Sequence, residues 1–329
     1  MDRDMNKLEF AEAVCIIIQE IIGDQYKVRY ADLLKNNNIR KIGIDILFPN
    51  EVIAPLLYIE DYYESYINGC DLLDIAYQIL KQYTEQEGRS AIHHIVLENQ
   101  MDIAGMISDT DKLKDRIRSH VTIRLVNREK NSKLLETIPH RSWLDMAVIY
   151  LIILISDDKE MGSIRVTHEL LKRIGMEVEE LHQLAMRNTP VLLPETLRNM
   201  GEVLKAGLKD QFDIPDLIDM DNILDAMLTE RSLENEMYVL SNKNGTNGAS
   251  VIYYDGILER VSDYFQTGFF ILPSSIHECI IVPERKISFS PEALKKMVKE
   301  VNAEQVQEEE ILSNNVYYYS SSEKKISIS

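Results

Sequence analysis

Residues 269–283 read FFILPSSIHECIIVP, and this stretch decides how the C-terminal half of the chain is interpreted. Two short apolar runs, FFIL and CIIV, flank the polar residues 274–278. Short runs of this kind, rich in aromatic and β-branched residues and bounded by turn-forming residues, are typical of buried strands. The stretch therefore predicts two buried strands joined by a sharp connection, with Pro273 at its start.

The neighbouring sequence predicts further strands and helices around this pair. Two strands separated by the turn sequence KNGTNG precede it, and a helix that starts at Pro291 follows it. The predicted strands lie at 237–242, 249–254, 269–272 and 279–282, and the predicted helices lie at 256–266 and 291–302. Polar residues near the C-terminus predict a partly disordered tail.

The N-terminal part predicts a small module of its own. Apolar residues at helical spacing predict a helix over 8–22 that Gly23 ends. Alternating apolar and polar residues predict strands at 26–30, 40–48 and 52–58, and a second helix is predicted at 71–86.

Together these patterns predict an α+β fold. A small N-terminal helix–strands–helix module is followed by a larger domain with a mixed or antiparallel sheet and flanking helices. The expected divisions are the module at 1–88, a helical connector at 89–118, the main domain at 119–303 and the tail at 304–329. Within the main domain we expect an apolar strand over 143–156 and an acidic helical insert at 194–236.

The charge balance argues against several classes of function. The chain has 36 Lys and Arg against 54 Asp and Glu, a formal net charge of −18. Nucleic acid and anionic membranes need clustered basic residues, so neither is an expected partner. The longest apolar run, 146–155, is too short for a transmembrane helix, which needs about 20 residues. Three cysteines without a CxxC pair, and no signal-peptide pattern, predict a cytoplasmic protein with reduced thiols.

The connection at 274–278 is the first candidate site. Ser274 or Ser275, His277 and Glu278 have the chemistry of a nucleophile, a base and an orienting carboxylate. Ser275 and His277 would share a face of an extended chain. No GxSxG turn accompanies them, so three interpretations stay open: catalysis, ligand binding by Ser274, Ser275 and His277, or a structural corner.

The second candidate site precedes the apolar strand, at residues 140–145. His140 or Arg141 could bind an anionic ligand, with Asp145 orienting either, because functional residues often lie where a loop meets a strand end. The alternative is structural, with Trp143 anchoring the core and Asp145 capping the strand.

No cofactor or metal site is expected. His94 and Glu98 are neighbours on one helical face, but a zinc site needs more ligands than this pair provides. The acidic run at 213–225 lacks the spacing and the glycine of a calcium-binding EF-hand loop. Residues 170–186 have helix-turn-helix spacing, but the glutamates of the second helix would repel DNA phosphates.

Several stretches resemble one uncharacterised bacterial family of the Firmicutes type, which has a C-terminal PSSIHE signature. The stretches are TIRLVNREKNSKLLETIPHRSWLDMAVIY at 122–150, MYVLSN at 237–242, ILPSSIHECIIVP at 271–283 and VNAEQVQEEEILSNNVYYY at 301–319. The resemblance implies a fold unit and a bacterial cytoplasm. It carries no catalytic assignment.

Three functional hypotheses follow. The first is a non-enzymatic cytoplasmic module that binds a protein or a small ligand, because no complete catalytic set is visible. The second is a hydrolase that uses Ser275 or Ser274 with His277 and a carboxylate. The third is a mobile-element or antitoxin-like accessory protein that binds a basic partner through the acidic residues 213–225. The sequence does not indicate the oligomeric state.

Overall fold

The structure is a computed structural model with an α+β fold. It describes residues 5–47, 54, 56–87, 109–156, 161–212, 237–273, 275–286 and 290–329. The chain divides into two compact units, Met1–Arg116 with Ile153–Ile164, and Ile117–Ile152 with Arg165–Ser329. Each unit is described by itself below.

The first unit contains a three-stranded antiparallel sheet with helices on either side of it in sequence. Its elements are α1 (Lys7–Ile22), β1 (Lys27–Leu34), β2 (Arg40–Leu47), β3 (Leu56–Tyr58), α2 (Glu60–Ile67), α3 (Leu72–Glu87) and the start of α4 (Thr110–His120). Asn6 and Glu9 form a capping box that fixes the beginning of α1. The apolar faces of α1, β2 and α3 meet in one core that includes Phe10, Ile44 and Ile79.

The second sheet carries the apolar strand and has the order β4-β6-β5, with β7 also pairing with β6. Its strands are β4 (Val121–Asn127), β5 (His140–Trp143), β6 (Met146–Ser156) and β7 (Met161–Arg165), and α5 (Ser132–Leu135) lies between β4 and β5. The sequence predicts one strand over 143–156, but the chain turns at Leu144 and Asp145. Leu144 has a φ of 54°, and Trp143 pairs with Met146 across this turn.

Two helices follow this sheet in sequence. They are α6 (His168–Ile174) and α7 (Val178–Leu192). Gly175 separates them in the left-handed region, with a φ of 63°, where glycine is favoured. Helix α7 covers the free edge of β4, because the Thr189 hydroxyl accepts a 3.0 Å hydrogen bond from the Ile123 N–H.

The third sheet is antiparallel and has six strands in the order β13-β12-β10-β11-β9-β8. The strands are β8 (Glu195–Asn199), β9 (Tyr238–Asn242), β10 (Phe269–Leu272), β11 (Cys279–Pro283), β12 (Tyr317–Ser320) and β13 (Lys325–Ile328). The helices of this part are α8 (Met200–Phe212), α9 (Ile257–Phe265) and α10 (Pro291–Glu304). The two strands predicted from FFILPSSIHECIIVP are confirmed as neighbours, with Phe270 opposite Val282.

A 3₁₀ helix, Gly248–Tyr253, replaces the strand predicted at 249–254. This segment passes so close to the sheet that a Cβ on Gly248 would lie 2.5 Å from the His277 carbonyl oxygen. The Ser250 hydroxyl accepts a 2.9 Å hydrogen bond from the Leu125 N–H. Tertiary contacts therefore override the β-propensity of the sequence VIYY.

The C-terminal residues differ from the expected disordered tail. Strands β12 and β13 extend the third sheet, and Tyr317 pairs with Ile271 of β10. Tyr317 and Tyr319 are buried, and the Tyr319 ring stacks on Phe269 with centroids 5.2 Å apart. Burial of these aromatic rings offsets the entropy of ordering a terminal hairpin.

The structure describes only part of the predicted acidic insert and of the remaining predicted residues. Strand β8 and helix α8 occupy the start of the region expected as an acidic helical insert. The acidic residues 213–236, His94, Glu98 and Ser274 lie outside the described residues. Among the residues that are described, no helix combines the length and the apolar character that crossing a membrane requires.

Candidate functional site

In the first polar segment, residues 275–278, the side chains of Ser275 and His277 contact backbone atoms. The Ser275 hydroxyl accepts a 2.9 Å hydrogen bond from the backbone N–H of His277 rather than contacting its ring. The imidazole Nδ1 lies 3.2 Å from the carbonyl oxygen of Gly245 and 3.3 Å from the amide nitrogen of Asn247. Ser275 and His277 therefore do not form the Ser–His hydrogen bond that a hydrolase with Ser275 as nucleophile requires.

The remaining contacts of this segment are also with neighbouring parts of the chain. The carbonyl of His277 accepts a 2.8 Å hydrogen bond from the Ser241 hydroxyl. The Ile276 N–H donates to the carbonyl of Glu310 at 2.8 Å, and the Glu310 carboxylate lies 3.5 Å from His277 Nε2. Burial, with a smaller contribution from the half-buried Glu278, raises the pKa of the Cys279 thiol, so this cysteine is not a ready nucleophile. These contacts are those of a structural corner between β10 and β11.

Asp145, from the second polar segment, anchors the C-terminal part of the chain. Its carboxylate accepts hydrogen bonds from Ser313 Oγ at 2.7 Å, Asn315 Nδ2 at 3.0 Å and Tyr317 Oη at 2.7 Å. Burial and the Asp145 charge raise the pKa of Tyr317. The Asp145 carboxylate is therefore occupied by the protein itself.

The other residues of this segment have different surroundings. His140 Nδ1 lies 3.1 Å from the carbonyl oxygen of Ile138. Arg141 forms an ion pair with Glu179 of α7. The described residues of the two segments contact neighbouring parts of the C-terminal chain, Glu310 for the first and Ser313 for the second.

A cavity of about 690 Å³ lies in the second unit, next to Trp143. Its walls come from β5, α7, the 3₁₀ helix, α9 and the β12–β13 hairpin. The lining residues are Trp143, His182, Gln183, Met186, Arg187, Ile252, Tyr253, Asp255, Leu258, Tyr319, Lys324 and Ile326. Trp143 is the one residue of the predicted segments that belongs to this lining.

Aromatic rings form one wall of the cavity. Trp143 and Tyr253 meet edge to face with centroids 5.1 Å apart, and His182 meets Tyr253 in the same way at 6.3 Å. Edge-to-face contacts hold such rings in fixed orientations. The cavity therefore has a preformed apolar surface beside polar groups.

His182 forms a hydrogen bond with Tyr150 of β6. Its Nδ1 lies 3.0 Å from the Tyr150 hydroxyl. Burial raises the pKa of Tyr150 to about 12, although the nearby Arg141 charge acts in the opposite direction. Burial and the charge of Arg141 lower the pKa of His182, against the smaller effects of Glu179 and Asp255. At neutral pH both side chains are therefore uncharged.

Charged groups of both signs line the cavity. Lys324, in the β12–β13 turn, forms an ion pair with Glu259 of α9. Arg187 and Asp255 also line the cavity, and within the described ranges neither has an ion-pair partner. Both side chains are solvent-exposed, so water satisfies their charges.

Sequence reasoning missed most of these residues. One signal was present, because the polar and Met side chains of α7 recur at helical spacing along one face. They are Glu179, His182, Gln183, Met186 and Arg187. Tyr253 and Lys324 carried no comparable signal, since their segments were predicted as a strand and a disordered tail.

The sequence model of one family, described as "Family of unknown function (DUF5688)", matches residues 7–321. The chain belongs to this DUF5688 family. No curated protein and no solved structure matches the chain. The predicted resemblance to a family of unknown function is confirmed. The site residues of this DUF5688 protein are therefore identified from the contacts and distances described above.

Proposed function

We propose that the second unit is a binding module for a small molecule, which occupies the cavity beside Trp143. The observation that carries this proposal is the aromatic wall of Trp143, Tyr253 and His182 in a cavity that also holds charged groups. Ligand sites in proteins are concave, largely apolar and supplied with a few polar groups that fix orientation.

The size and composition of the cavity support this proposal. A volume of about 690 Å³ falls within the range of about 300–1,000 Å³ that is common for small-molecule sites. His182 adds a titratable group with a lowered pKa, and perturbed groups in a cleft are typical of functional sites.

The contacts of Ser275 and His277 favour this binding function over hydrolysis. Both the Ser275 hydroxyl and the His277 imidazole contact backbone atoms. The alternative of a basic protein partner depends on residues 213–225, and a pull-down with neutralised aspartates would test it.

The cellular setting is part of the same proposal. We infer a bacterial cytoplasm, which the resemblance to a bacterial family and the three free cysteines support.

The single tryptophan of the chain makes the binding test direct. Excitation of Trp143 reports on the cavity, so titration with aromatic probes such as benzyl alcohol and phenylalanine should give a saturable fluorescence change. Tyr253→Ala should weaken that response, since it removes part of the aromatic wall. Tyr264→Ala is the matched control, because Tyr264 is exposed on α9 and does not line the cavity.

Two results would count against the proposal. One is the absence of a saturable response to any probe in the wild-type protein. The other is an equal response in wild type and Tyr253→Ala.

A further inference from the structure

Arg124 of β4 carries a buried hydrogen-bond donor that the fold does not satisfy. Its Nε is shielded from solvent and has no hydrogen-bond partner among the described residues, although the residue as a whole is only partly buried. A guanidinium is always charged and has donors but no acceptor. An unmade bond of such a donor costs free energy away from water, so an acceptor at this position would stabilise the protein.

A second arginine, Arg165 of β7, lies on the same face of the sheet. Only four residues separate β6 from β7 in sequence, so these two strands run antiparallel. The Val166 N–H donates to the Tyr150 carbonyl at 3.0 Å, which places these two residues opposite each other. Because side chains alternate along a strand, Arg165 shares the face of Ile149, and Ile149 pairs with Arg124 on the other side of β6.

The two guanidinium groups approach each other over β6. Neighbouring strands lie about 4.8 Å apart, so about 10 Å separates the backbones of β4 and β7. Burial and the nearby charge of Arg165 lower the pKa of Arg124 to about 10, against the smaller effects of Glu309 and Glu310. The Glu310 carboxylate also lies 3.5 Å from His277 Nε2. Burial lowers the pKa of Arg165 as well. Two cations are therefore held close together and partly out of water.

Arg29 of β1 shows how the chain satisfies a strand arginine elsewhere. Arg29 pairs across the strands with Asp45, and its Nε and Nη2 each donate a 2.9 Å hydrogen bond to that carboxylate. The residue opposite Arg124 is instead the apolar Ile149. The sheet thus supplies a cross-strand acceptor for the first arginine and none for the second.

We propose that Arg124 and Arg165 form a binding site for a doubly charged oxyanion of the phosphate class. Its oxygens accept hydrogen bonds from Arg124 Nε and from the Arg165 guanidinium, and its two negative charges match the two positive ones. Free phosphate and the phosphate group of a small monoester share this chemistry. Tyr150, which contacts His182 of the cavity, points to the opposite face of the sheet. The site is therefore separate from the cavity beside Trp143 and adds a second ligand to the proposed function.

Three probes test the charge requirement by isothermal titration calorimetry in Tris chloride at constant ionic strength. They are inorganic phosphate, glycerol 3-phosphate and acetate. Phosphate should bind saturably to one site, and acetate should bind at least about tenfold more weakly, because it has one charge and fewer acceptors for two guanidinium groups. Tighter binding of glycerol 3-phosphate than of phosphate identifies a monoester as the source, and the reverse order identifies the free ion.

Methionine variants assign the binding to the two arginines. Arg124→Met and Arg165→Met should each weaken phosphate binding at least about tenfold, because each removes one charged donor group. Arg128→Met is the matched control, since Arg128 follows the same strand and is exposed. It should preserve the dissociation constant.

Thermal unfolding separates lost binding from lost structure. In chloride alone, Arg124→Met should be at least as stable as the wild type, because it removes a buried charge without a hydrogen-bonded acceptor. Phosphate should raise the Tm of the wild type and of Arg128→Met, since a ligand of the folded state stabilises it. It should leave the Tm of Arg124→Met unchanged.

Three results would overturn the proposal. The first is the absence of saturable phosphate binding to the wild-type protein. The second is an equal affinity of the wild type, Arg124→Met and Arg165→Met for phosphate. The third is an equal affinity of the wild type for phosphate and acetate, which would remove the requirement for a double charge. The fluorescence response of Trp143 to aromatic probes is independent of all three.

Discussion

The two polar segments, 140–145 and 275–278, contain similar side chains but differ in what those side chains contact. In the segment at 275–278, the Ser275 hydroxyl and His277 Nδ1 both contact backbone atoms. In the segment at 140–145, Arg141 forms an ion pair with Glu179, and Trp143 lines a cavity. Among the described residues of the two segments, Trp143 of the second is the one that lines this cavity.

The difference teaches that reactive residue types are weak evidence for a site. A histidine whose ring nitrogens contact neighbouring backbone and a carboxylate, as those of His277 do, stabilises a corner of the fold. A histidine that lines a cavity and has one ring nitrogen held by a neighbouring hydroxyl, as His182 has, is oriented for a ligand. The predictions below test this distinction, starting with the largest expected effect.

Asp145 belongs by sequence to a candidate binding segment, but its contacts are structural. Asp145→Ala should lower the free energy of unfolding by about 3 kcal/mol, because the Ser313, Asn315 and Tyr317 donors lose a shared charged acceptor. Urea denaturation followed by circular dichroism measures the change.

Glu136→Gln is the control for Asp145→Ala, since Glu136 is exposed. It should change the unfolding free energy by less than about 0.5 kcal/mol. If the two variants are equally stable, Asp145 does not anchor the C-terminal strands.

Ser275 provides the next test, with a smaller expected effect. Ser275→Ala should cost about 1 kcal/mol, because the N–H of His277 loses its hydrogen-bond acceptor. A fluorophosphonate probe should label neither the wild-type protein nor this variant. Ser142→Ala, at an exposed position of β5, is the stability control. Labelling that disappears in Ser275→Ala would instead restore the hydrolase hypothesis.

The smallest expected effect is a dependence of stability on pH through His182. Burial and the Arg141 charge lower the pKa of His182 below 6.5 in the folded state, so the unfolded chain takes up this proton first. The contribution of His182 is therefore fully present above about pH 6.5 and is lost as the pH falls toward the folded-state pKa. Denaturation between pH 7.5 and 5 measures this loss.

His182→Gln should reduce the slope of stability against pH over that range, because glutamine does not titrate. Replacement of exposed His168, which does not line the cavity, by glutamine is the matched control. An unchanged slope in His182→Gln would show that His182 titrates alike in both states.

Much of the fold could be predicted because it depends on local signals. The apolar runs around 274–278 became β10 and β11, and the apolar spacing before Gly23 became α1. Pro291 lies at the start of α10, as its fixed φ favours. The turn at Leu144 was missed, since leucine rarely adopts a positive φ and gives no turn signal.

The site was predicted only in part, through Trp143. Its other members come from α7, the 3₁₀ helix and the β12–β13 hairpin, which are far apart in sequence. Tyr253 was placed in a strand by its β-propensity, whereas the close approach of Gly248 to His277 and the hydrogen bond from Leu125 to Ser250 explain the 3₁₀ helix.

The sequence by itself determined the α+β class, the acidic charge and the major apolar strands and helices. These properties depend on composition and on periodicity over a few residues. Only the tertiary structure decided which polar atoms are satisfied, that the C-terminal residues complete a sheet, and that Trp143, His182 and Tyr253 share a cavity. Those outcomes depend on contacts between distant segments, because the free energy of such a contact exists only after both segments are in place.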